Sequence, residues 1–108
     1  MKPPQLQAEV DLDTALASGG FLVFKHSLVC PVSARAFREY ALFVEQHPNV
    51  PTGWIDVIGQ RPLSKRIESA TGVQHESPQA LWLKDGRVAW SASHGAITGA
   101  SLAKAVTS

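Results

Sequence analysis

Cysteine is almost absent from this chain: Cys30 is the only one among 108 residues. An internal disulfide is therefore excluded, and nothing in the composition indicates export, so the reducing cytoplasm is the expected location. The chain also lacks an apolar run of about 20 residues and an apolar segment near its N-terminus, which argues against a membrane span and a signal peptide.

An excess of charge of either sign is missing as well. Ten Lys and Arg residues oppose nine Asp and Glu residues, and both kinds are scattered along the sequence. Without a basic stripe, neither nucleic acid nor an anionic membrane is an expected partner. The composition, 44% apolar and 18% charged, is that of one globular domain over residues 1–108. Residues 1–10, with two adjacent prolines, are predicted to form a loose lead-in.

The first half of the chain shows a helix, a strand and a longer helix. Acidic residues begin a short helix that stops before Gly19, and the apolar run 21–24 is typical of a strand covered on both faces. The longest helical pattern starts at Pro31, because the first helical position needs no N–H, and it ends before Pro48. Cys30 is therefore predicted to be the N-cap residue of this helix.

The second half of the chain predicts a mixed sheet. Its elements are a strand over 54–57, a helix over 61–71, strands over 80–84 and 88–91 that flank the Asp85-Gly86 turn, and a last helix capped by Thr98. The full order is α-β-α-β-α-β-β-α. This order indicates an α/β fold with a four-stranded mixed sheet flanked by helices, the thioredoxin-like arrangement, in which the reactive group follows the first strand.

The segment Cys30-Pro31-Val32-Ser33 has the spacing of a redox dithiol with serine in place of the second thiol. At a helix N-cap, the unpaired N–H groups and the positive end of the helix dipole favour a thiolate. Ser33 is expected to donate a hydrogen bond to the same sulfur. A stable thiolate is also a good leaving group, which favours a carrier of small thiols. Cys30, Pro31 and Ser33 are therefore the candidate catalytic residues.

Ser77-Pro78 is a second feature of interest. A proline that enters the third strand of a thioredoxin-like domain is typically cis and packs beside the reactive cysteine, although the sequence leaves the isomer open. The backbone of Ser77 would then be placed to pair with a bound disulfide like a short added strand.

The chain resembles a known family in three stretches: FKHSLVCPVS, RPLSKRIESATGVQHESPQALWLKDG and WSASHGAIT. With these stretches in register, it resembles the monothiol bacilliredoxins, the YtxJ-like family of the bacillithiol system, over residues 21–106. The resemblance implies a thioredoxin-like fold and the removal of bacillithiol from S-thiolated cytoplasmic proteins. Cys30 would attack the bacillithiol sulfur, and a second bacillithiol or another reductant would restore the thiol.

The resemblance also implies the partners of the site. Bacillithiol would be a thiol co-substrate rather than a tightly bound cofactor, with glutathione as the other small thiol to consider. Bacillithiol carries carboxylate, hydroxyl and amine groups, and the candidate residues to bind it are Lys25, His26, Arg35, Ser77, Pro78 and Gln79. The histidines lack metal-ligand spacing, and the CGFS motif of cluster-binding glutaredoxins is missing, so no metal site is expected.

Other interpretations of the same residues remain open. The spacing of Ser27 and Cys30 matches a Ser-x-x-Cys peroxidatic pattern, which would define a one-cysteine thiol peroxidase. A non-catalytic thioredoxin-like binding module would use the fold without its thiol. His26 as the base of a Cys–His hydrolase would need a third group to orient its ring. A lone cysteine can also be a buried apolar residue without reactivity.

Overall fold

The computed structural model describes residues 2–107, and its elements follow the predicted order. The helices are α1 (Glu9–Ala17), α2 (Pro31–Gln46), α3 (Arg61–Thr71) and α4 (Gly99–Val106). The strands are β1 (Phe21–His26), β2 (Thr52–Asp56), β3 (Gln79–Lys84) and β4 (Arg87–Ser93). A short 3-10 helix, His94–Ala96, lies between β4 and α4. Over residues 2–107, no helix is both long and apolar enough to cross a bilayer.

The four strands form one mixed sheet in the order β2-β1-β3-β4. β1 is parallel to β2 and antiparallel to β3, while β3 and β4 form the predicted hairpin. β1 extends two residues beyond the predicted 21–24, because Lys25 pairs with Gln79 of β3 and His26 pairs with Asp56 of β2. The apolar run is therefore shorter than the strand, because the last two residues of β1 are polar but still paired with neighbouring strands.

The turns around the sheet follow local sequence signals. Asp85 and Gly86 have φ angles of 54° and 79°, the left-handed conformations that a two-residue hairpin turn requires. Gly72 ends α3 with a φ of 74°. The Thr98 hydroxyl caps α4 by accepting a hydrogen bond from the backbone N–H of Ser101 at 3.0 Å. These three predictions are confirmed.

Successive side chains of β1 face two different cores. Leu22 and Phe24 pack in a cluster with residues of α2 and α4. Val23 packs on the opposite face in a cluster with residues of α1 and α3. Because side chains alternate along a strand, His26 lies on the α2 side and Lys25 on the α3 side. The two polar residues at the end of β1 therefore have different surroundings.

The prediction of a loose lead-in over residues 1–10 is wrong for most of that segment. Leu6 is buried, and its N–H donates to the carbonyl of Trp54 at 2.9 Å. The N–H of Trp54 in turn donates to the carbonyl of Pro4 at 3.0 Å. The segment lies along the outer edge of β2, and α1 begins already at Glu9. Prolines indicate an irregular backbone, but they do not exclude edge pairing.

Candidate functional site

Cys30 lies at the start of α2, as the sequence predicts. It is the N-cap residue with an extended backbone, Pro31 is the first residue of the helix, and the Cys30 carbonyl accepts the N–H of Ala34 at 3.0 Å. Cys30 is partly exposed, in contrast to a cysteine that fills a core. The first N–H groups of a helix have no intrahelical partner, but in the described part of the chain the Cys30 side chain makes no capping hydrogen bond to them, so the thiol is at the start of α2 and reachable.

The hydroxyl of Ser33 makes different contacts from those expected. Ser33 is fully buried, and its Oγ accepts a hydrogen bond from the Ser27 N–H at 2.9 Å and lies 2.7 Å from Nδ1 of His26. Among the hydrogen bonds of residues 2–107, none joins this hydroxyl to the Cys30 sulfur. The expectation that Ser33 donates to the thiolate is therefore wrong. The first turn of α2 directs Ser33 inward, toward the end of β1.

The side chain of His26 is buried and contacts the Ser33 hydroxyl. Its ring stacks on Phe37 with centroids 4.4 Å apart and meets the edge of Trp54 at 5.5 Å. Burial lowers the pKa of His26, and the nearby carboxylate of Asp56 opposes this shift. His26 is buried beneath the loop before Cys30, so its ring faces Ser33 and the aromatic side chains rather than the surface.

The side chain of Lys25 lies on the other face of the sheet from His26 and is fully buried. Within the described chain, its Nζ has no hydrogen-bond partner, and neither has Oε1 of Gln79, the residue paired with it on β3. Burial lowers the pKa of Lys25 to about 8, and the carboxylates of Glu68 and Glu76 oppose that shift. Nε2 of Gln79 donates to the carbonyl of Gln74 at 3.1 Å. Both side chains lie in the interior rather than on the surface around Cys30.

The Ser77–Pro78 peptide bond is cis, as is typical at this point of a thioredoxin-like domain. Continuing the β1–β3 register by one residue places Pro78 opposite His26, at the end of the sheet from which the Cys30 loop emerges. Pro78 is buried, and its carbonyl accepts the N–H of His94 at 3.1 Å. Ser77 is half-buried at the same place.

A groove along α2 contains another candidate, Arg35. A cavity of about 400 Å³ lies between α2 and the segment that joins β4 to α4, and Val32, Arg35 and His94 are among its lining residues. Arg35 is exposed, and Glu39 at the groove accepts the N–H of Gly99 at 2.9 Å. His94, which is not among the candidate residues from the sequence, lines the same groove. Its backbone there is left-handed, with a φ of 53°.

The candidates therefore divide into three groups. Cys30, Pro31 and Arg35 lie at the surface, Ser77 and Pro78 lie beside it at the end of β3, and Lys25, His26, Ser33 and Gln79 lie inside. Within residues 2–107, the structure brings no three His, Cys, Asp or Glu side chains together in a way that would hold a metal ion. This surface provides one reachable thiol, Cys30, at the N-terminus of α2, and one exposed arginine, Arg35, on the same helix.

A single cysteine that is partly exposed at the N-cap of the helix after β1 is typical of monothiol redox proteins with a thioredoxin-like fold. Comparison with known families specifies the class further. Residues 5–102 match the family described as monothiol bacilliredoxin BrxC, and the chain belongs to that family.

Several solved structures share the fold of this chain. A protein described as a candidate oxidoreductase with a thioredoxin fold is 31% identical, with a TM-score of 0.89, and the match covers 96% of this chain and 93% of that one. Thioredoxin from Trypanosoma brucei brucei is 8% identical, with a TM-score of 0.79, and the match covers 97% and 88% of the two chains. Fasciola hepatica thioredoxin is 16% identical, with a TM-score of 0.75 and 96% of each chain covered. The thioredoxins share the fold, and the predicted fold class is confirmed.

Proposed function

We propose that this protein removes bacillithiol from mixed disulfides on cytoplasmic proteins, and that Cys30 is its nucleophile. The observation that carries the proposal is that position 33 is a serine rather than a cysteine. A dithiol protein has its second thiol there, whereas this chain has a buried hydroxyl bound to His26 and Ser27. With Cys30 as the only cysteine, an adduct on its sulfur persists until an external thiol attacks it.

The reaction then takes two exchange steps. The Cys30 thiolate attacks the bacillithiol sulfur of the mixed disulfide, a new S–S bond forms, and the protein sulfur leaves as a thiolate that takes a proton from water. A second bacillithiol thiolate attacks the bacillithiol sulfur on Cys30. This step releases bacillithiol disulfide and restores the Cys30 thiolate, so two electrons pass from bacillithiol to the substrate disulfide.

We propose the groove with Arg35 as the binding place for the polar part of bacillithiol. A guanidinium binds carboxylates through two parallel hydrogen bonds, and bacillithiol carries carboxylates on its malate group. The backbone at Ser77 remains the proposed pairing partner of the disulfide. Lys25, His26 and Gln79 are buried, so we no longer propose them as direct contacts.

A turnover assay tests the proposed function. A reporter protein that carries bacillithiol on one cysteine, and the same reporter with glutathione instead, are each mixed with the wild-type chain and excess bacillithiol. We expect the bacillithiolated reporter to be released much faster, and Cys30→Ala to show only the uncatalysed rate. Equal rates for wild type and Cys30→Ala would refute the proposal, and preference for the glutathionylated reporter would identify a different small thiol.

Arg35 has a matched control on its own helix. Arg38 is also exposed on α2 but lines a different cavity. We expect Arg35→Gln to lower kcat/KM for the bacillithiolated reporter by about tenfold, which corresponds to about 1.4 kcal/mol and is typical for a hydrogen bond to a charged group. Arg38→Gln should leave kcat/KM within about twofold. Equal effects of the two substitutions would place bacillithiol elsewhere.

A further inference from the structure

Exposed apolar side chains are concentrated around Cys30. Leu28 is 64% exposed, Val29 is 78% exposed and Val32 is 47% exposed, and we refer to these three residues as the apolar collar. The other large apolar residues with high exposure are scattered: Val10 on α1, Leu42 on α2 and Ile58 in the turn before α3. Single exposed apolar residues are ordinary, whereas a cluster beside a reactive group indicates an interaction surface.

The backbone holds the collar outward. Leu28 and Val29 form a turn between two anchored residues. Ser27 is buried, with its N–H donating to Oγ of Ser33, and the Cys30 N–H is 3.5 Å from the Ser27 carbonyl. Turning Leu28 and Val29 inward would break these contacts. Their exposure is thus a built property of the site.

The apolar collar is suited to bind a group that is apolar, unlike the polar small thiol. If the proposed function is right, on which this inference rests, the substrate has two unlike halves joined by one S–S bond. The bacillithiol half carries carboxylates and hydroxyls and fits a groove with an exposed arginine. The polypeptide half is the only part that can offer apolar side chains, and the sulfur of its cysteine is one S–S bond away from the bacillithiol sulfur that Cys30 attacks.

We propose that the apolar collar binds apolar side chains next to the modified cysteine of the protein substrate. Val32 belongs to the collar and also lines the groove with Arg35, so the two binding surfaces meet beside Cys30. The polypeptide then lies on the collar and bacillithiol lies in the groove. This sorting presents the bacillithiol sulfur to Cys30, so bacillithiol moves to Cys30 and the protein cysteine leaves as a thiolate.

Two peptide probes test docking to the apolar collar. One is a peptide of about ten residues with a bacillithiolated cysteine between leucine and valine residues, and the other is the same peptide with serine and glutamate at those positions. We expect wild-type kcat/KM to be about tenfold higher for the apolar peptide, mainly through a lower KM. A third probe, the mixed disulfide of bacillithiol with free cysteine, reports the chemistry without docking.

The variant Leu28→Ser/Val29→Ser should lose the tenfold preference and keep its rate with the bacillithiol–cysteine disulfide within about twofold. Val10→Ser is the matched control, because Val10 is 65% exposed but lies on α1. All substituted side chains are exposed, so the fold should remain, as circular dichroism would verify.

Three results would overturn the collar proposal. The wild type could treat both peptides alike, the double variant could retain the preference, or the double variant could lose rate equally with the bacillithiol–cysteine disulfide, which would make the collar a support for Cys30 only. Failure of the wild type to take bacillithiol from any probe would instead refute the proposed function, and the collar proposal with it.

Discussion

Ser33 occupies the place of the second thiol in a dithiol redox protein, and its contacts explain what serine contributes there. A hydroxyl is small enough for a fully buried position in the first turn of α2 and accepts the otherwise unpaired N–H of Ser27. Nδ1 of the His26 ring lies 2.7 Å from the same oxygen. Ser33 thereby anchors the loop that carries Cys30. Because it is a serine, there is also no resolving thiol at this position.

Ser33→Ala should destabilise the fold by about 1 to 3 kcal/mol, because it leaves the buried N–H of Ser27 without an acceptor. Urea denaturation measures the difference. Ser69→Ala is the matched control: Ser69 is exposed, and its hydroxyl donates only to the carbonyl of Arg66. We expect its effect to stay within about 0.5 kcal/mol. Equal effects of the two variants would show that the contacts of Ser33 add little.

Lys25 is the residue whose environment is least compatible with its chemistry. Its Nζ is buried without a partner among the described residues, and its pKa in the folded protein is about 8, below the ordinary 10.5. The unfolded chain therefore binds the proton more tightly than the folded chain. The cost to stability is fully present below pH 8 and disappears as the pH rises from about 8 toward the unfolded value.

Lys25→Met should therefore stabilise the protein at pH 7 by about 1 to 3 kcal/mol, because methionine fills similar space without a charge to desolvate. The gain over wild type should shrink between pH 8 and pH 10.5. Urea denaturation of both proteins across this range measures it, with Lys65→Met on the exposed face of α3 as the control. A gain that does not change with pH would contradict the assigned cause.

At the scale of elements, the connection from β1 to α2 determines the site, and the sequence predicts much of it. Pro31 indicates where α2 starts, so the cap position of Cys30 follows from local signals. The direction of Ser33 does not, because it depends on how α2 packs against the end of β1, where His26 and the Ser27 N–H contact the hydroxyl. Local patterns predict element order and caps, whereas the partners of buried polar groups are set by tertiary contacts.

The N-terminal segment shows the same limit. Its prolines indicate irregular backbone, and only the folded β2 edge provides the partners that order it. Gly53 makes the approach possible, since a Cβ there would lie 2.5 Å from Cδ2 of Leu6. A sequence pattern over a few residues cannot reveal a contact between positions so far apart along the chain.

Leu6→Ala should lower the free energy of unfolding by about 2 kcal/mol, because the leucine side chain is buried against the α1 and α3 side of the sheet. Val10→Ala, at an exposed position of α1, should change it by no more than about 0.5 kcal/mol. Chemical denaturation of both variants provides the comparison. No loss with Leu6→Ala would mean that the segment is not part of the stable core.

At the scale of the whole molecule, the chain combines a near-neutral surface with one reachable thiol. A balanced charge provides no long-range attraction to one class of macromolecule, and we therefore expect partner choice to depend on contacts near Cys30. The groove with Arg35 and the apolar collar are the surfaces that we propose for these contacts. The fold and family show a monothiol redox protein, and these surfaces are the basis for proposing which disulfides it accepts.

A single-turnover experiment tests the central claim most directly. Reduced wild-type protein is mixed with an equal amount of bacillithiolated reporter, without free bacillithiol, quenched in acid, and measured by intact mass. We predict that the mass of one bacillithiol moves from the reporter to the wild-type chain, and that Cys30→Ala acquires none. A covalent complex of the chain with the reporter, together with released bacillithiol, would show that Cys30 attacks the other sulfur and would contradict the account.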